Sequence, residues 1–505
     1  MQGRLSAVDV GILAAYAAIL VAMGWYYRRK CRTSEQFMVA GHGIPAWAAG
    51  LAVMSAYTSS ISYIATPAQA YDTNWHPIIF SLCIIPVAWI ACRYAVGYYR
   101  RTQIISVYSF LEQRLGTWGR VYAALSFLLY MIGRVAVILY LVGLLLSTFI
   151  ASDGGGHRTL IILIVAIGTV TIIYTLLGGM EAVIWTDVMQ SAVMIGGIIF
   201  CAAVLTRDTI TGNEPLMARA VADHKFSLGS LRPSLADRTV WVMLIFGVTE
   251  NLRNLLADQN FVQKYCSVPT EAKARRSVWI AMGIYIPLTA IFLYIGTALY
   301  AFYAPGGRGL PDTVTKADQV FPYFIATQLP VGLRGLVVAA IIAAAMSTVD
   351  SALNCSATVY LLDFHKRFIR PGLDDRRSLR LLRIATVITG IIGTAAAMLM
   401  IWARGALDVW WQISGIFGGG ILGLFLLSLM KIRLSLRQGL MAIVAAVATI
   451  AWATFLRPEF VEAHFPPSMY WVACRLDKVI IGATGTAALL IAGIALHVRN
   501  LKRKT

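Results

Sequence analysis

"SAYTSSISYIATP", residues 55–67, sets Ser55, Thr58, Ser59, Ser60 and Ser62 within eight positions of an otherwise apolar run and closes on Pro67. A continuous membrane helix satisfies its own backbone. Hydroxyls and a helix breaker gathered at mid-depth therefore predict an unwound helix, whose freed carbonyl and N–H groups coordinate something. A lone serine would merely bond back to the preceding turn or admit a close neighbour. A second stretch, "GVTENLRNLLADQ" (247–259), repeats the interruption with Glu250, Asn251, Arg253 and Asn254.

Hydrophobic residues make up 58% of the 505 and charged ones only 13%, which excludes a soluble globular domain and predicts an all-α polytopic membrane protein. About twenty apolar residues cross a hydrocarbon core of roughly 30 Å. Thirteen such runs follow one another, at 7–28, 45–70, 76–97, 118–150, 158–178, 180–205, 238–262, 276–303, 319–361, 381–404, 407–430, 437–456 and 475–498. The two interrupted runs are the second and the seventh. Each thus opens a unit of five, 45–205 and 238–430, as an inverted repeat requires. An extra N-terminal helix (7–28) and C-terminal helices (437–498) complete one membrane domain over 1–505. The first run is long and lacks a small-residue cleavage site, so it reads as a retained helix and not as a signal peptide.

The 43 Lys+Arg against 24 Asp+Glu, +19 net, suit a nucleic-acid binder by number but not by placement. Clusters such as "YYRRKCR" (26–32), "HKRFIRPGLDDRRSLRLLR" (365–383) and "HVRNLKRKT" (497–505) fall in alternate loops, the positive-inside pattern. This predicts an outer N-terminus and an inner C-terminus, in agreement with an odd number of spans. Seven cysteines, mostly within spans, imply no disulfide framework. Metal-ligand spacing, a P-loop and a nucleophile-and-base set are all missing, so no enzyme is expected.

"AAAMSTVDSALNCSA" (343–357) carries Ser347, Thr348 and Ser351 on one helical face beside the small residues Ala343, Ala344 and Ala345. Hard oxygen donors without a full carboxylate cage suit a weakly held alkali cation. The stretch therefore reads as half of a Na+ site, completed by carbonyls near Ser55 and Thr58. Asp187 and Asp350 are carboxylates within spans, where a charge costs at least about 2.5 kcal/mol unless paired or functional. A cation shared by Asp187 and the Asp350/Ser351 pair would offset that cost; a proton held by one of them would instead make H+ the coupling ion. Arg134 lies too deep in its span to snorkel easily. It reads either as a partner of Glu250 or Asp350, or as a bidentate clamp for an anionic substrate.

"SEQFMVAGHGIPAW" (34–47), "GGMEAVIWTDVMQ" (178–190), "ADQNFVQKYCSVPTEAKARRS" (257–277) and "FPYFIATQLPVGLRGLVVAAIIAAAMSTVDSALNCSATVYLLD" (321–363) closely resemble the sodium:solute symporter family. The resemblance implies a leucine-transporter-like core of two inverted five-helix repeats. It also implies a principal Na+ site built from carbonyls near Ser55 and Thr58, the Ala344 carbonyl, and the Ser347 and Thr348 side chains. A second Na+ site would fall on Asp187, Asp350 and Ser351. Gly133-Arg134 with "VAVILYL", together with "SSISYIATPAQAYDTNW" (59–75), resembles the sialic acid branch, in which the arginine binds the substrate carboxylate; "HPIIFSLCIIPVAWI" (76–90) departs from that branch in lacking an amide side chain.

The expected function is Na+-coupled import of a small polar, anionic solute by alternating access across a bacterial cytoplasmic membrane. Tyr57, Ser59, Ser62, Arg134 and Asn251 are expected to line the substrate pocket, and the bilayer, sodium and the solute are the only partners called for. The alternatives are a neutral sugar, a monocarboxylate or an amino acid as substrate and, from another class, a transporter-like receptor or a channel. The tail "RNLKRKT" (499–505) is expected to be too short for a fused kinase domain.

Overall fold

From Val337 to Val359 every residue is buried, and the run includes Ser347, Thr348, Asp350, Ser351 and Asn354. A helix without a polar face belongs inside a bundle, and this one is enclosed on all sides. The computed structural model describes residues 5–150, 157–210, 216–303, 309–312, 314–402 and 406–502. Among these residues every regular element is helical, and the helices that frame the bundle are α1 (Ala7–Arg28), α2 (Ala46–Tyr57), α3 (Ser60–Asp72), α4 (Ile78–Arg101), α5 (Tyr108–Leu115), α6 (Thr117–Ile150), α7 (His157–Ile210), α8 (Val240–Leu252), α9 (Gln259–Cys266), α10 (Glu271–Tyr303), α11 (Leu333–Val359), α12 (Asp375–Leu399), α13 (Ala406–Leu429), α14 (Leu436–Phe455) and α15 (Ile481–Lys502). The last three residues of the tail lie outside the described set.

Among the described residues ten helices are long and apolar enough to cross a membrane. The thirteen expected runs exceed that number for local reasons. α7 is one element, yet Gly179 (φ +57°, ψ −153°) breaks it where two runs were expected. The second run divides into α2 and α3, each too short to qualify, and α13 is counted only over Ile413–Leu429 as a shorter apolar helix. The expected run 319–361 needs correction: it is two helices, Ala317–Gln328 and α11, parted at Gly332 with φ +86°.

α11 packs against α1, α2, α3, α6, α7 and α12. Its small residues let these neighbours approach closely. α1 also caps it: the backbone N–H groups of Gly332 and Gly335 donate to Asp9 Oδ1 at 2.8 and 2.9 Å. Such a carboxylate satisfies N–H groups that a helix start leaves bare. At the opposite end, buried Asp363 accepts from Arg120 Nε at 2.6 Å and from Ser106 Oγ, tying the exit of α11 to the start of α6. Arg120 also pairs with Glu112 of α5, which holds Arg367 as well.

Candidate functional site

Two helices break at the centre of the bundle. α2 ends at Tyr57; Thr58 (φ −102°, ψ 107°) and Ser59 (φ −114°, ψ 176°) are extended, and α3 restarts at Ser60. α8 widens into a π-helical turn over Arg253–Ala257, after which Asp258 (φ −96°, ψ 116°) separates it from α9. Glu250 to Asn254 thus lie in the turns before the second break and not in the break itself. Asp258 fixes its position, because its carboxylate accepts the Asn260 N–H at 2.9 Å and Arg253 Nη1 at 3.0 Å. The halves meet where the Tyr57 ring packs on Phe261, centroids 4.6 Å apart.

α11 packs against both halves of the first broken span, α2 and α3. Ser347 Oγ and Thr348 Oγ1 each donate to the Ala344 carbonyl at 3.1 Å, which leaves lone pairs on both hydroxyls. Thr58 Oγ1 donates to the Met54 carbonyl at 3.3 Å. Ser55 Oγ is buried beside the Asp187 carboxylate, with no close, well-aligned hydrogen bond. Ser55, Thr58, Ala344, Ser347 and Thr348 are all fully buried.

Asp187, Asp350 and Ser351 gather one turn away. Ser351 Oγ donates to the Ser347 carbonyl at 2.8 Å and to Asp350 Oδ1 at 3.1 Å, while Tyr174 OH donates to Asp350 Oδ2 at 2.9 Å. Asp187 Oδ1 is buried without a partner. Its Oδ2 meets Lys264 Nζ at 2.8 Å, and that ammonium also donates to the Ala52 carbonyl of α2 at 2.9 Å. Lys264 is fully buried, and sequence reasoning missed it. It sits in "FVQKYC" (261–266), just past the seventh run; that α9 continues inward as a buried helix was the signal to look for.

Beside the breaks lies a cavity of about 670 Å³. Tyr57, Ser59, Ser62 and Arg134 line it, as do Asn254 and Glu250. Asn251 does not: its amide donates to the carbonyls of Phe80 and Gly247 at 3.0 and 2.7 Å. Arg134 Nη2 donates to the Ala56 carbonyl at 2.8 Å, and no carboxylate lies within ion-pair distance of it among the described residues; neither Glu250 nor Asp350 is its partner. Glu250 instead holds Arg253 through two hydrogen bonds, and Arg253 also reaches Asp258 and Tyr130 OH, its guanidinium 4.7 Å from the Tyr130 ring centroid. The two carboxylates and one guanidinium of the Glu250–Arg253–Asp258 group leave one net negative charge near the breaks, and Arg134 stands close enough to Asp258 to feel it. Arg134 is left with donors to offer the cavity.

The arrangement can hold an alkali cation among oxygens on one side of a broken helix and an anion on the other. The chain is 30% identical over 443 residues to the sodium/sialic acid symporter NanT of Aliivibrio fischeri, covering 87% of this chain and 86% of the relative. It is 29% identical over 451 residues to the sodium/sialic acid symporter SiaT of Proteus mirabilis, covering 89% and 90%. A solved structure of a substrate-bound, outward-open Na+-coupled sialic acid symporter superposes with a TM-score of 0.86 over 97% of both chains at 27% identity. With residues 37–445 matching its family model, this chain belongs to the sodium:solute symporter family.

Proposed function

We propose that this protein carries a sialic acid or a related sugar acid across a bacterial inner membrane together with Na+, by alternating access. The observation that carries the reading is Arg134, a buried guanidinium on the cavity wall with one bond to the broken helix and no carboxylate partner. A bound carboxylate would supply that partner bidentately. Sialic acid carriage by relatives of similar length supports the same assignment.

On this reading Na+ is held by carbonyls near Ser55 and Thr58, by the Ala344 carbonyl, and by the Ser347 and Thr348 hydroxyls. The Ser55 hydroxyl, buried without a close hydrogen bond, supports an occupant that takes an oxygen lone pair there. Tyr57, Ser59 and Ser62 line the solute's side with Arg134, and Asn254 takes the place expected for Asn251. Asp187, Asp350 and Ser351 form the candidate second Na+ site. Thirteen spans, two inverted five-helix units over 45–205 and 238–430, and an outer N-terminus complete the proposal. The ion and the solute share one broken helix, so each orders the backbone that the other needs. The coupling is typically about 1–3 kcal/mol.

The test is uptake into proteoliposomes under an imposed Na+ gradient, with sialic acids, other sugar acids, neutral sugars, monocarboxylates and amino acids presented in turn. Concentrative, Na+-dependent uptake of an acidic sugar is expected. Arg134→Ala abolishes it, while Ser347→Ala raises the half-saturating Na+ concentration about tenfold or more, the effect of losing roughly 1.4 kcal/mol. Unchanged uptake by Arg134→Ala removes the anionic substrate and spares the symporter.

A further inference from the structure

The cavity that starts at the helix breaks continues to the surface, where its wall changes character. There it is lined by Arg238, Arg457, Arg475 and Lys478 together with Glu459 and Asp477, four basic side chains against two acidic ones. Most come from one segment, the strap between α14 and α15. The strap folds back on itself, with Cys474 N–H donating to the Leu456 carbonyl at 2.7 Å and Trp452 Nε1 to the Val472 carbonyl at 2.8 Å. It is pinned over the mouth: Asp477 N–H donates to the Leu235 carbonyl at 2.8 Å, and Arg238 pairs with Asp477 at 3.5 Å while reaching Gln69 of α3 at 3.3 Å.

Those contacts consume Arg238 and Asp477, but not two neighbouring guanidiniums. Arg457 donates Nη1 to the Leu476 carbonyl, yet its Nη2 is buried without a partner. Arg475 is exposed, lines the cavity and forms no ion pair among the described residues. An excess of one sign of charge in a cleft between low-dielectric walls raises the local concentration of an oppositely charged ligand.

We propose that Arg457 and Arg475 form a mouth subsite that captures the carboxylate of an acidic solute before it passes inward to Arg134. The two sites belong to one continuous cavity, so the solute exchanges one guanidinium partner for another without recrossing bulk water. This deepens the reading of Arg134 as an anion clamp and rests on it. The subsite gives the strap, and with it the helices that follow the second five-helix unit, a part in selecting the solute by charge.

Rim charges act mainly on capture and its salt dependence, whereas buried partners act on release. The test is therefore the initial rate of Na+-driven uptake of a sialic acid into proteoliposomes, at solute concentrations far below half-saturation and at saturation. In low salt, Arg475→Gln and the double variant Arg457→Gln/Arg475→Gln lower the sub-saturating rate about fivefold or more and leave the maximal rate unchanged. Choline chloride at about 0.5 M narrows the gap to wild type, and Arg475→Lys keeps most of the wild-type rate. Wild-type sub-saturating rates in both glutamine variants overturn the subsite, and so does a fall in the maximal rate alone. Arg134→Gln run in parallel separates the two readings: if it loses uptake while the mouth variants match wild type, only the subsite falls, and if the protein carries neutral solutes alone, both fall. Should the panel identify another acid as substrate, that acid serves as the probe.

Discussion

Lys264 sets the electrostatics of the ion half. Its ammonium lies 2.8 Å from Asp187 with both side chains fully buried, and Asp350 stands beside them with its own hydroxyl partners. Two carboxylates and one ammonium leave one negative charge in the group. With both carboxylates ionised, one alkali ion, at Ser347 and Thr348 or at Asp187 and Asp350, brings the neighbourhood to neutrality. Removing the ammonium upsets that balance. Lys264→Met leaves Asp187 buried and uncompensated, a loss of about 3–5 kcal/mol, to be read as a lower thermal transition in detergent without Na+. Added Na+ should then recover more stability in the variant than in wild type, because Asp187 is free to bind it. Equal recovery in both proteins would argue that Asp187 takes no cation. The carboxylates and hydroxyls of this group were legible as polar residues within apolar runs. The lysine was not, because it lies beyond the apolar stretch and is buried only by the way α9 turns inward after Asp258.

At the scale of elements, the breaks decide the fold, and each has its own legibility. The first was readable because five hydroxyls and a proline interrupt one short stretch. The second was readable as to span but not residue: Glu250, Arg253 and Asn254 drew attention, while the chain leaves the helix at Asp258, where a side-chain cap and an ion pair coincide. The third, at Gly179, was visible only as the short gap between two apolar runs. There φ is +57° and ψ −153°, and an added Cβ would lie 2.8 Å from Phe37 Cα, backbone of the short helix Ser34–Val39. Neither the dihedrals nor that contact allows a side chain. Gly179→Ala should therefore cost about 1–3 kcal/mol and lower the thermal transition. Gly196→Ala, in the same element with nothing within 4 Å of the new methyl, should leave it unchanged or raise it. Matching behaviour of the two variants would mean that α7 bends freely at Gly179.

For the molecule as a whole, orientation turns the cavity into a conformational state. The mouth opens among residues 236–238 and the strap between α14 and α15, while the other end of the bundle is tied together by Ser106, Arg120 and buried Asp363, with Glu112 and exposed Arg367 at its edge. The basic clusters lie at that end. If the positive-inside rule holds, the mouth faces outward, the state from which a symporter loads. All seven cysteines are buried, so the native chain offers a quiet background for a labelling test. A cysteine replacing exposed Arg232 should react with a membrane-impermeant maleimide in intact cells; one replacing exposed Arg370 should react only after permeabilisation. The reverse pattern would place the open mouth in the cytoplasm. The same fold would then be caught in its releasing state, and the Arg120–Asp363 network would act as the outer closure that must part for the solute to enter.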